Sequence, residues 1–496
     1  GASESGSQSV TVTITENESA PTVTLTVSAT SIAENAGSSL TLTATLSGVV
    51  DEDVTVTIGT AGTSTEATDY TDGSGVINDM TISAGSTTTT ANFTPTDDSI
   101  YEGNETAIIS IDGVSGADAS ENGTQAVTIT ITENESAPTV TLTVSATSIA
   151  ENAGSSLTLT ATLSGKADED VTVTIGTAGT STEATDYTDG SGVINDMTIS
   201  AGNTSTTANF TPTDDSVYEG NETAIISIDG VSGGDASEDG TQAVTITITE
   251  NESAPTVTLT TSATSIAENA GSSITLTATL SGATDSDITV ALDTSGAATE
   301  GTDYTDGSGN IDDITISAGA TTGTVLFTPT DDSIYDATSN ETATISINGV
   351  SGKTGVEENS TPQAVTITIT DNESAPTVTL ATASTSIDEN SDSTITLTAT
   401  VSTATFQDVT VSIDGTGGTG TEGTDFGTVS DITVSAGSTT GTVTFDPTDD
   451  SIYEGNETAG ISVSGVSGGG ASESGSQAVT ITITDNESAP SVTLTT

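Results

Sequence analysis

The sequence predicts an all-β protein, built as a tandem array of antiparallel β-sandwiches. The first observation behind this prediction is a long internal repeat, because the string Asn-Glu-Ser-Ala-Pro occurs five times. Successive copies are separated by 117, 117, 121 and 114 residues. Self-similarity at a nearly fixed period indicates repeated structural units stacked along one chain. The copies of the string start at Asn17, Asn134, Asn251, Asn372 and Asn486.

The second observation is a hydrophobic period of two within each repeat. In the second copy Leu157, Leu159, Ala161 and Leu163 alternate with Thr and Ser, which places the apolar residues on one face of a strand. About seven such short segments occur in each repeat, separated by turns rich in Gly, Asn, Asp and Ser. About seven alternating strands in some 117 residues predict a seven-stranded, immunoglobulin-like antiparallel sandwich.

The repeat markers divide the chain into four full units and two partial ones. We expect a segment of a longer array, since both ends fall inside a repeat. The predicted domains are the end of a preceding repeat at 1–18, repeat 1 at 19–135, repeat 2 at 136–252, repeat 3 at 253–373, repeat 4 at 374–487, and the start of a following repeat at 488–496.

Composition excludes several classes of function. Two lysines, Lys166 and Lys353, face 71 acidic residues, and the formal net charge is −69. No basic patch is available to neutralise phosphates, so we expect neither nucleic acid nor an anionic membrane surface as a partner. There is no Cys and no His, which excludes a disulfide framework, a zinc site and a Ser-His-Asp triad. Oxygen-rich acidic surfaces instead suit hard cations, calcium above all.

Disorder is the alternative to this fold, because the net charge is high and aromatic residues make up only 3% of the chain. Strict alternation along every predicted strand argues against it, because a disordered acidic tract has no reason to preserve that pattern. A domain with few large rings and so many carboxylates is nevertheless expected to be marginally stable without cations.

Acidic residues follow the odd-numbered strands of each predicted sandwich. The odd strands of an antiparallel sandwich end at the same pole, so these carboxylates are expected to meet and to repel one another unless a cation lies between them. The alternative is that they are solvated turn residues, as we expect for Asp72 and Gly73. The residues concerned in repeat 1 are Glu34, Asp69, Asp97, Asp98, Glu102, Glu105, Glu133 and Glu135.

Four motifs resemble those of the Calx-β domain. They are Ser-Ile-Ala-Glu-Asn at 31–35, Ala-Thr-Asp-Tyr at 67–70, Asp-Asp-Ser-Ile-Tyr-Glu-Gly-Asn-Glu at 97–105 and Val-Thr-Ile-Thr-Ile-Thr-Glu-Asn-Glu at 127–135. The resemblance covers all four repeats and both partial ends. It implies a seven-stranded β-sandwich with calcium sites in the loops at the distal end of each domain.

By motif, the resemblance implies Ca²⁺ ligands at the eight acidic positions of repeat 1, with the Ile100 carbonyl as a possible addition. Repeat 2 matches with Glu151, Asp186, Asp214, Asp215, Glu219, Glu222, Glu250 and Glu252. Repeat 4 matches with Glu389, Asp425, Asp449, Asp450, Glu454, Glu457, Asp485 and Glu487.

Repeat 3 departs from the motif by two additional residues after Tyr335. We expect this insertion to displace Glu341 and Asp336 to substitute for a glutamate. The implied ligands of repeat 3 are Glu268, Asp303, Asp331, Asp332, Asp336, Glu341, Asp371 and Glu373. All four repeats end in Glu-Asn-Glu or Asp-Asn-Glu, where exchanger-type domains carry an aspartate run. The smaller number of charges implies that each site binds fewer calcium ions or binds them more weakly.

Near-identity of the repeats favours a structural role, because a spacer gains from repetition whereas a receptor or catalytic domain normally differs from its neighbours. We therefore expect an extracellular, calcium-stiffened stalk or filament of the bacterial cell surface, with neighbouring repeats and identical chains as partners. The main alternative is a calcium-dependent adhesive module that recognises a carbohydrate, ice or an identical chain. A calcium sensor is less consistent with four near-copies. Catalysis is not expected, because the paired carboxylates recur in every repeat without an aromatic sugar platform.

Overall fold

All regular secondary structure in the described residues is β-strand. The computed structural model describes residues 1–336, 341–360 and 363–495. Within these ranges there is no helix long and apolar enough to cross a membrane. The chain divides into two compact units, the first comprising Gly1–Asp215 and Asn221–Asn251 and the second comprising Ser216–Gly220 and the residues from Glu252 onward. Repeat 1 and most of repeat 2 lie in the first unit, and repeats 3 and 4 lie in the second.

Repeat 1 consists of two five-stranded sheets. One sheet has the order β10-β1-β3-β7-β5 and the other the order β2-β11-β9-β4-β6, and the edge pairs β1/β10 and β2/β11 are parallel. The strands are β1 Thr22–Val27, β2 Ser31–Ala33, β3 Leu40–Leu46, β4 Val54–Gly62, β5 Tyr70–Thr71, β6 Met80–Ile82, β7 Thr88–Pro95, β8 Ile100–Tyr101, β9 Glu105–Ser115, β10 Ser120–Glu121 and β11 Ala126–Thr132.

Repeat 2 has the same pair of sheets, in the orders β17-β19-β14-β12-β22 and β13-β23-β21-β16-β18. Its strand β20 belongs to the second unit, where it pairs with β27. The strands are β12 Thr139–Val144, β13 Ser148–Ala150, β14 Leu157–Leu163, β15 Lys166–Ala167, β16 Val171–Gly179, β17 Tyr187–Thr188, β18 Met197–Ile199, β19 Ser205–Pro212, β20 Val217–Tyr218, β21 Glu222–Ser232, β22 Ser237–Glu238 and β23 Ala243–Thr249.

Repeat 3 again has two five-stranded sheets, in the orders β29-β31-β26-β24-β34 and β25-β35-β33-β28-β30. Its strands are β24 Thr256–Thr261, β25 Ser265–Ala267, β26 Ile274–Leu280, β27 Ala283–Thr284, β28 Ile288–Gly296, β29 Tyr304–Thr305, β30 Ile314–Ile316, β31 Thr322–Pro329, β32 Ile334–Tyr335, β33 Glu341–Ser351, β34 Glu357–Glu358 and β35 Ala364–Thr370.

Repeat 4 has a four-stranded sheet in the order β42-β38-β36-β44 and a five-stranded sheet in the order β37-β45-β43-β40-β41. Its strands are β36 Thr377–Thr382, β37 Ser386–Asp388, β38 Ile395–Val401, β39 Ala404–Thr405, β40 Val409–Gly418, β41 Ile432–Val434, β42 Thr440–Phe445, β43 Glu457–Ser467, β44 Ser472–Glu473 and β45 Ala478–Thr484.

Each repeat has its own core between its two sheets, formed by the inward-facing residues of the alternating strands. In β14 the side chains of Leu157, Leu159, Ala161 and Leu163 are all buried, as the alternation predicts. Tyr70 and Phe93 are the largest fully buried side chains of repeat 1, and their rings stack with centroids 4.6 Å apart. Full burial of each large apolar side chain contributes roughly 1.5–3 kcal/mol, which offsets the scarcity of aromatic residues. The predicted all-β tandem sandwich is confirmed.

A β-bulge interrupts β4 in repeat 1, where the register with β9 shifts between Thr57 and Ile58. The Asp79 carboxylate accepts a 3.0 Å hydrogen bond from the Ile58 N–H, which the shift removes from the ladder. The same bond, also at 3.0 Å, caps the bulge in the other repeats, where the pairs are Ile175–Asp196, Leu292–Asp313 and Ile413–Asp431. Part of the acidic content is therefore used to complete the backbone hydrogen bonding.

A short parallel strand pair joins repeats 1 and 2 within the first unit. Strand β8 of repeat 1 pairs with β15 of repeat 2, with Ile100 opposite Lys166 and Tyr101 opposite Ala167. The Asp168 N–H donates to the Tyr101 carbonyl at 3.2 Å, and the Tyr101 hydroxyl donates to Asp235 at 3.3 Å. In the second unit β32 of repeat 3 pairs with β39 of repeat 4 in the same way. Each repeat pair thus has a joint made of backbone hydrogen bonds.

Candidate metal centre

The acidic loops of repeat 1 meet at the pole of the sandwich from which β8 extends to repeat 2. Glu34 follows the edge strand β2, which pairs in parallel with the last strand β11 and so lies beside Glu133. Asp69 immediately precedes β5, and Glu105 begins β9 opposite Ile131 of β11. Topology therefore brings together carboxylates that are up to 101 residues apart in the sequence.

Glu34, Glu133 and Glu135 form the first carboxylate cluster, in which one oxygen of each residue lies within 4.8 Å of the others. Glu34 is only 5% exposed, and one of its oxygens accepts a 3.1 Å hydrogen bond from the Asp98 N–H. Burial raises the pKa of Glu34 to about 7, and the charges of Glu133 and Glu135 add to the rise. A carboxylate in this position lacks the positive neighbour that would stabilise its charge.

Glu133 is the member of this cluster that the backbone holds in the ionised form. Its oxygens accept hydrogen bonds from the N–H groups of Glu102 at 2.7 Å, Gly103 at 3.1 Å, Asn134 at 2.8 Å and Glu135 at 2.9 Å. Burial alone would raise the pKa of Glu133, but these bonds outweigh it and lower the pKa. The hydrogen bonds also fix the loop after β8 against the loop after β11.

Asp69, Glu102 and Glu105 form the second cluster of repeat 1, again with oxygens within 4.8 Å of one another. Burial raises the pKa of Glu102 to about 8, and Asp69 and Glu105 contribute next. Burial and the charge of Asp69 raise the pKa of Glu105 to about 7. Asp69 itself is 8% exposed and accepts a hydrogen bond from the Thr65 N–H. Without a cation, such a cluster retains protons near neutral pH.

The remaining predicted residues of repeat 1 lie at the margin of the two clusters. Asp98 is exposed, and its carboxylate accepts a 2.7 Å hydrogen bond from the Ile100 N–H at the start of β8. Asp97 is also exposed; Glu133 and then burial raise the pKa of Glu135, and the charge of Asp97 makes a smaller contribution. Of the eight predicted positions, six are therefore in the clusters and two lie in the loop that joins them.

Repeat 3 also has acidic clusters despite the insertion after Tyr335, but its first cluster contains Asp332, the equivalent of Asp98, where that of repeat 1 contains Glu133. Glu268, Asp332 and Glu373 form the first cluster. Asp336 occupies the position of Glu102, because its N–H donates to Asp371 at 2.7 Å as the Glu102 N–H donates to Glu133.

Glu341 of repeat 3 pairs with Ile369, the register that Glu105 has with Ile131. The structure thus places Glu341 at the equivalent position, and the inserted residues fall in 337–340, outside the described residues. Burial and Asp303 raise the pKa of Glu341 to about 7. Asp331 lines a separate groove together with Glu268 of the first cluster.

Repeat 4 has the same arrangement. Glu389 is 8% exposed and accepts a 3.2 Å hydrogen bond from the Asp450 N–H. Asp485 accepts hydrogen bonds from the N–H groups of Glu454 and Glu487, each at 2.8 Å. Burial and Asp425 raise the pKa of Glu457 to about 7. Asp449 accepts a 3.1 Å hydrogen bond from the side chain of Asn486.

In repeat 2, the residues within the first unit follow the pattern of repeat 1. Glu151 is 6% exposed and accepts from the Asp215 N–H at 3.3 Å, while Asp186 accepts from the Thr182 N–H at 2.5 Å. Glu222 pairs with Ile248, as Glu105 does with Ile131. Among the other predicted positions, Glu250 and the exposed Asp214 lie in the first unit, and Glu219 and Glu252 lie in the second.

The profile of the Calx-beta domain matches the sequence four times in tandem, at residues 16–135, 133–252, 250–373 and 371–487. These matches cover nearly the whole chain. The protein belongs to the Calx-beta domain family. A comparison with curated protein sequences found no match.

Solved structures with similar folds have low sequence identity to this chain. The calcium binding domain pair CBD12 of CALX1.1 is 12% identical and aligns over 44% of this chain and 96% of its own, with a TM-score of 0.20. The bacterial integrin-binding protein invasin is 14% identical over 94% of this chain and 79% of its own, with a TM-score of 0.23. The Yersinia pseudotuberculosis adhesin InvE is 16% identical over 47% of this chain and 60% of its own, with a TM-score of 0.23. At these values the likeness concerns the fold alone.

The Calx-beta fold implies calcium, and the residues at the poles fit that ion. Buried carboxylate oxygens of Glu135, Glu268, Glu373 and Glu487 have no hydrogen-bond donor within the described ranges. In repeat 3, Glu373 is the second cause of the raised pKa of Glu268, about 8, after burial. Two facing carboxylates can bond only if one holds a proton, whereas a cation would satisfy both. A donor set made only of oxygens suits calcium, which takes six to eight such ligands in tolerant geometry.

Several residues at the Calx-beta poles were not predicted from the sequence. The Asn104 side chain accepts a 3.0 Å hydrogen bond from the Glu133 N–H and so fixes the loop that carries the first cluster. Asn221 and Asn456 make the equivalent bonds to Glu250 at 3.0 Å and Asp485 at 3.3 Å. Their recurrence just before each Glu-Thr at the start of the long strand is the sequence signal that would have identified them.

Proposed function

We propose that this chain is a structural segment of an extracellular, bacterial surface stalk or filament, whose joints are stiffened by calcium bound at the acidic poles. One observation carries the proposal: the acidic loop and the joint strand are the same segment. Strand β8 lies between Asp98 and Glu102, and it pairs with β15 of repeat 2. Fixing the carboxylates on either side of β8 therefore also fixes the strand that holds the next repeat.

Calcium, when bound, supplies the positive charge that lets these carboxylates be ionised together. The chain contributes the rest of the arrangement. The Glu133 carboxylate holds the backbone at Glu102 and Gly103, directly after β8, and the Glu34 carboxylate holds the backbone at Asp98, directly before it. Mutual repulsion within the clusters disfavours this arrangement in the absence of a cation, so the joint is expected to loosen.

The joint surface also supports end-to-end addition of further repeats, including those of an identical chain. In repeat 4 the residues that correspond to β8 are Ile452 and Tyr453, which are 59% and 45% exposed. The corresponding Ile100 and Tyr101 of repeat 1 are partly buried against repeat 2. The proposal therefore includes a further repeat as the partner of this surface.

The test is thermal unfolding and small-angle scattering of the whole chain in millimolar calcium and in chelator. The proposal expects a higher melting temperature and a more extended particle with calcium. Magnesium at the same ionic strength is the control, since it demands stricter octahedral geometry and retains its water. Equal melting temperatures and equal scattering in calcium and chelator would contradict the proposal and leave the acidic loops as solvated turns.

A further inference from the structure

In repeats 2 and 4, one position lies near the acidic pole of the preceding repeat within the same unit, and we call it the junction residue. It directly follows the short strand that completes the joint. The junction residue of repeat 2 is Asp168, after β15, and that of repeat 4 is Phe406, after β39. Repeat 3 has Asp285 at this position, after β27. Two of the three junction residues are aspartates and the third is a phenylalanine.

In the first unit, the strand pairing places Asp168 next to the second cluster of repeat 1. Ala167 lies opposite Tyr101, and Asp168 and Glu102 are the residues that directly follow this pair on the two strands. Its backbone is held there by the 3.2 Å bond from its N–H to the Tyr101 carbonyl. The charge of Asp168 contributes to the raised pKa of Glu105, behind burial and Asp69. Burial and then Glu169 raise the pKa of Asp168 itself, with a smaller contribution from Asp69.

The second unit shows directly that the junction residue reaches the pole. The Phe406 N–H donates to the Tyr335 carbonyl at 3.2 Å, the same bond that Asp168 makes to Tyr101. The Phe406 ring lines a cavity of about 170 Å³ together with Asp303, Asp336 and Glu341. These three residues correspond to Asp69, Glu102 and Glu105 of repeat 1.

Asp285 is engaged differently, which makes it a natural comparison for Asp168. Its carboxylate forms a 2.7 Å salt bridge with Lys353 within the second unit. No lysine or arginine occurs in repeat 1, and Lys166 is the only one in repeat 2. Lys166 precedes Asp168 by two residues and is exposed.

We propose that Asp168 is an additional calcium ligand, contributed by repeat 2 to the site formed by Asp69, Glu102 and Glu105 of repeat 1. The ion at this pole is then shared between two repeats and restrains their joint directly. At the joint of repeats 3 and 4, the Phe406 side chain offers no oxygen, so repeat 4 contributes no carboxylate from this position. This inference rests on the proposed calcium function and assigns the residue through which binding reaches the next repeat.

Site-resolved distance measurements on the full chain can test the assignment. The chain has no cysteine, so a pair of substitutions carries two spin labels without further changes. Thr81→Cys with Thr198→Cys reports on repeats 1 and 2, and the equivalent Thr315→Cys with Thr433→Cys reports on repeats 3 and 4; all four residues are exposed on corresponding strands. The distribution of label distances is recorded by double electron–electron resonance as calcium is added.

Asp168→Ala is expected to raise the calcium concentration needed to narrow the distribution between repeats 1 and 2 by at least about tenfold. Mutation of a residue that hydrogen-bonds to a metal ligand already lowers metal affinity by about 10–100-fold, so loss of a direct ligand should lower it by at least as much. The distribution between repeats 3 and 4 should be unchanged. Asp285→Ala is the matched control and should leave the response of repeats 1 and 2 unaltered. Phe406→Asp should lower the calcium concentration required at the joint of repeats 3 and 4.

If Asp168 were only a repulsive charge at the pole, its substitution would change the calcium response in the opposite direction. In that case Asp168→Ala would leave the calcium response unchanged or shift it to lower concentration, which overturns the inference while the proposed function stands. If the unsubstituted chain binds calcium in equilibrium dialysis without any narrowing at either joint, the inference and the stiffening both fail. If no calcium is bound at all, the proposed function itself fails.

Discussion

At the scale of single residues, the carboxylates of this chain fall into two groups that the sequence does not distinguish. Asp79 has a structural role, because its carboxylate accepts the hydrogen bond from the Ile58 N–H that the bulge leaves without a backbone partner. Glu34 also accepts one backbone hydrogen bond, but it is buried beside two acidic neighbours, Glu133 and Glu135, which a structural role does not require. The distinction lies in the partners, which only the folded topology supplies.

Substitution of Glu34 is expected to have opposite effects in chelator and in calcium. Glu34→Gln removes a charge that burial and two glutamates oppose, so the melting temperature in chelator should stay the same or rise. In calcium the variant lacks a ligand, and it should lose part of the stabilisation that calcium gives the parent chain. Calorimetry in both buffers checks the sign.

Asp79→Ala is the matched control for that experiment. It leaves the Ile58 N–H without its acceptor and should destabilise repeat 1 by about 1 kcal/mol in either buffer. If Glu34→Gln lowered stability equally in calcium and in chelator, Glu34 would be a structural residue like Asp79 rather than a ligand.

The calcium-free chain is expected to lose stability as the pH rises from about 5 to 8. The pKa values of Glu34, Glu105 and Glu102 are raised to about 7, 7 and 8 from an ordinary value of 4.5. The folded state therefore binds more protons than the unfolded state in this window, and its stability declines as these protons are released. In saturating calcium the trend should reverse, because acid displaces the ion from its ligands.

Urea unfolding at pH 5, 6, 7 and 8, with chelator and with calcium, measures both trends. Glu268, Glu341 and Glu457 have similarly raised pKa values, of about 8, 7 and 7, so all the repeats within the described structure should contribute. A calcium-free chain that becomes more stable between pH 5 and 8 would show that the poles are better solvated than the structure indicates.

At the scale of strands and loops, the long elements were predictable and the short ones were not. Alternation in β14 runs over seven residues, long enough to identify the buried face from the sequence. Strands β2 and β8 have three and two residues, too few for any period to be visible. These short strands nevertheless place Glu34 beside Glu133 and repeat 1 beside repeat 2.

The candidate site was predictable only within one repeat. The expected meeting of acidic loops at one pole agrees with the two clusters of repeat 1, although the pairing of the short strand β2 is what places Glu34 there. Asp168 escapes this argument, since it reaches the pole through a two-residue pairing with a different repeat. A sequence pattern that is read within one domain cannot predict a contact between two domains.

Amide exchange at the joint is expected to slow when calcium is added. The pairing of β8 with β15 involves only two residues on each strand, so it should open far more readily than a core strand such as β14. Ligation of the flanking carboxylates should increase protection at Asp168, whose N–H is bonded to Tyr101. The amides of β14 serve as the internal control, and a uniform slowing of both segments would indicate global stabilisation rather than a local effect on the joint.

At the scale of the whole molecule, a net charge of −69 acts on every repeat at once. Self-repulsion destabilises a compact state, and added salt screens it, since the Debye length falls from about 30 Å at 0.01 M to about 8 Å at 0.15 M ionic strength. Screening is indifferent to the identity of the cation, whereas binding at the poles is not. The two effects can therefore be separated by comparing salts.

In chelator, raising NaCl from 10 to 150 mM, values chosen to span that roughly fourfold change in Debye length, should increase the melting temperature gradually. Adding calcium at constant ionic strength should produce a further increase that saturates, whereas magnesium should produce less, because it dehydrates reluctantly and requires near-ideal octahedral geometry. If sodium, magnesium and calcium stabilise the chain equally at matched ionic strength, the stabilisation comes from general screening of its negative charge. A saturating increase with calcium alone instead locates the effect at the poles, where buried oxygens of Glu135 and Glu487 have no donor in the described structure.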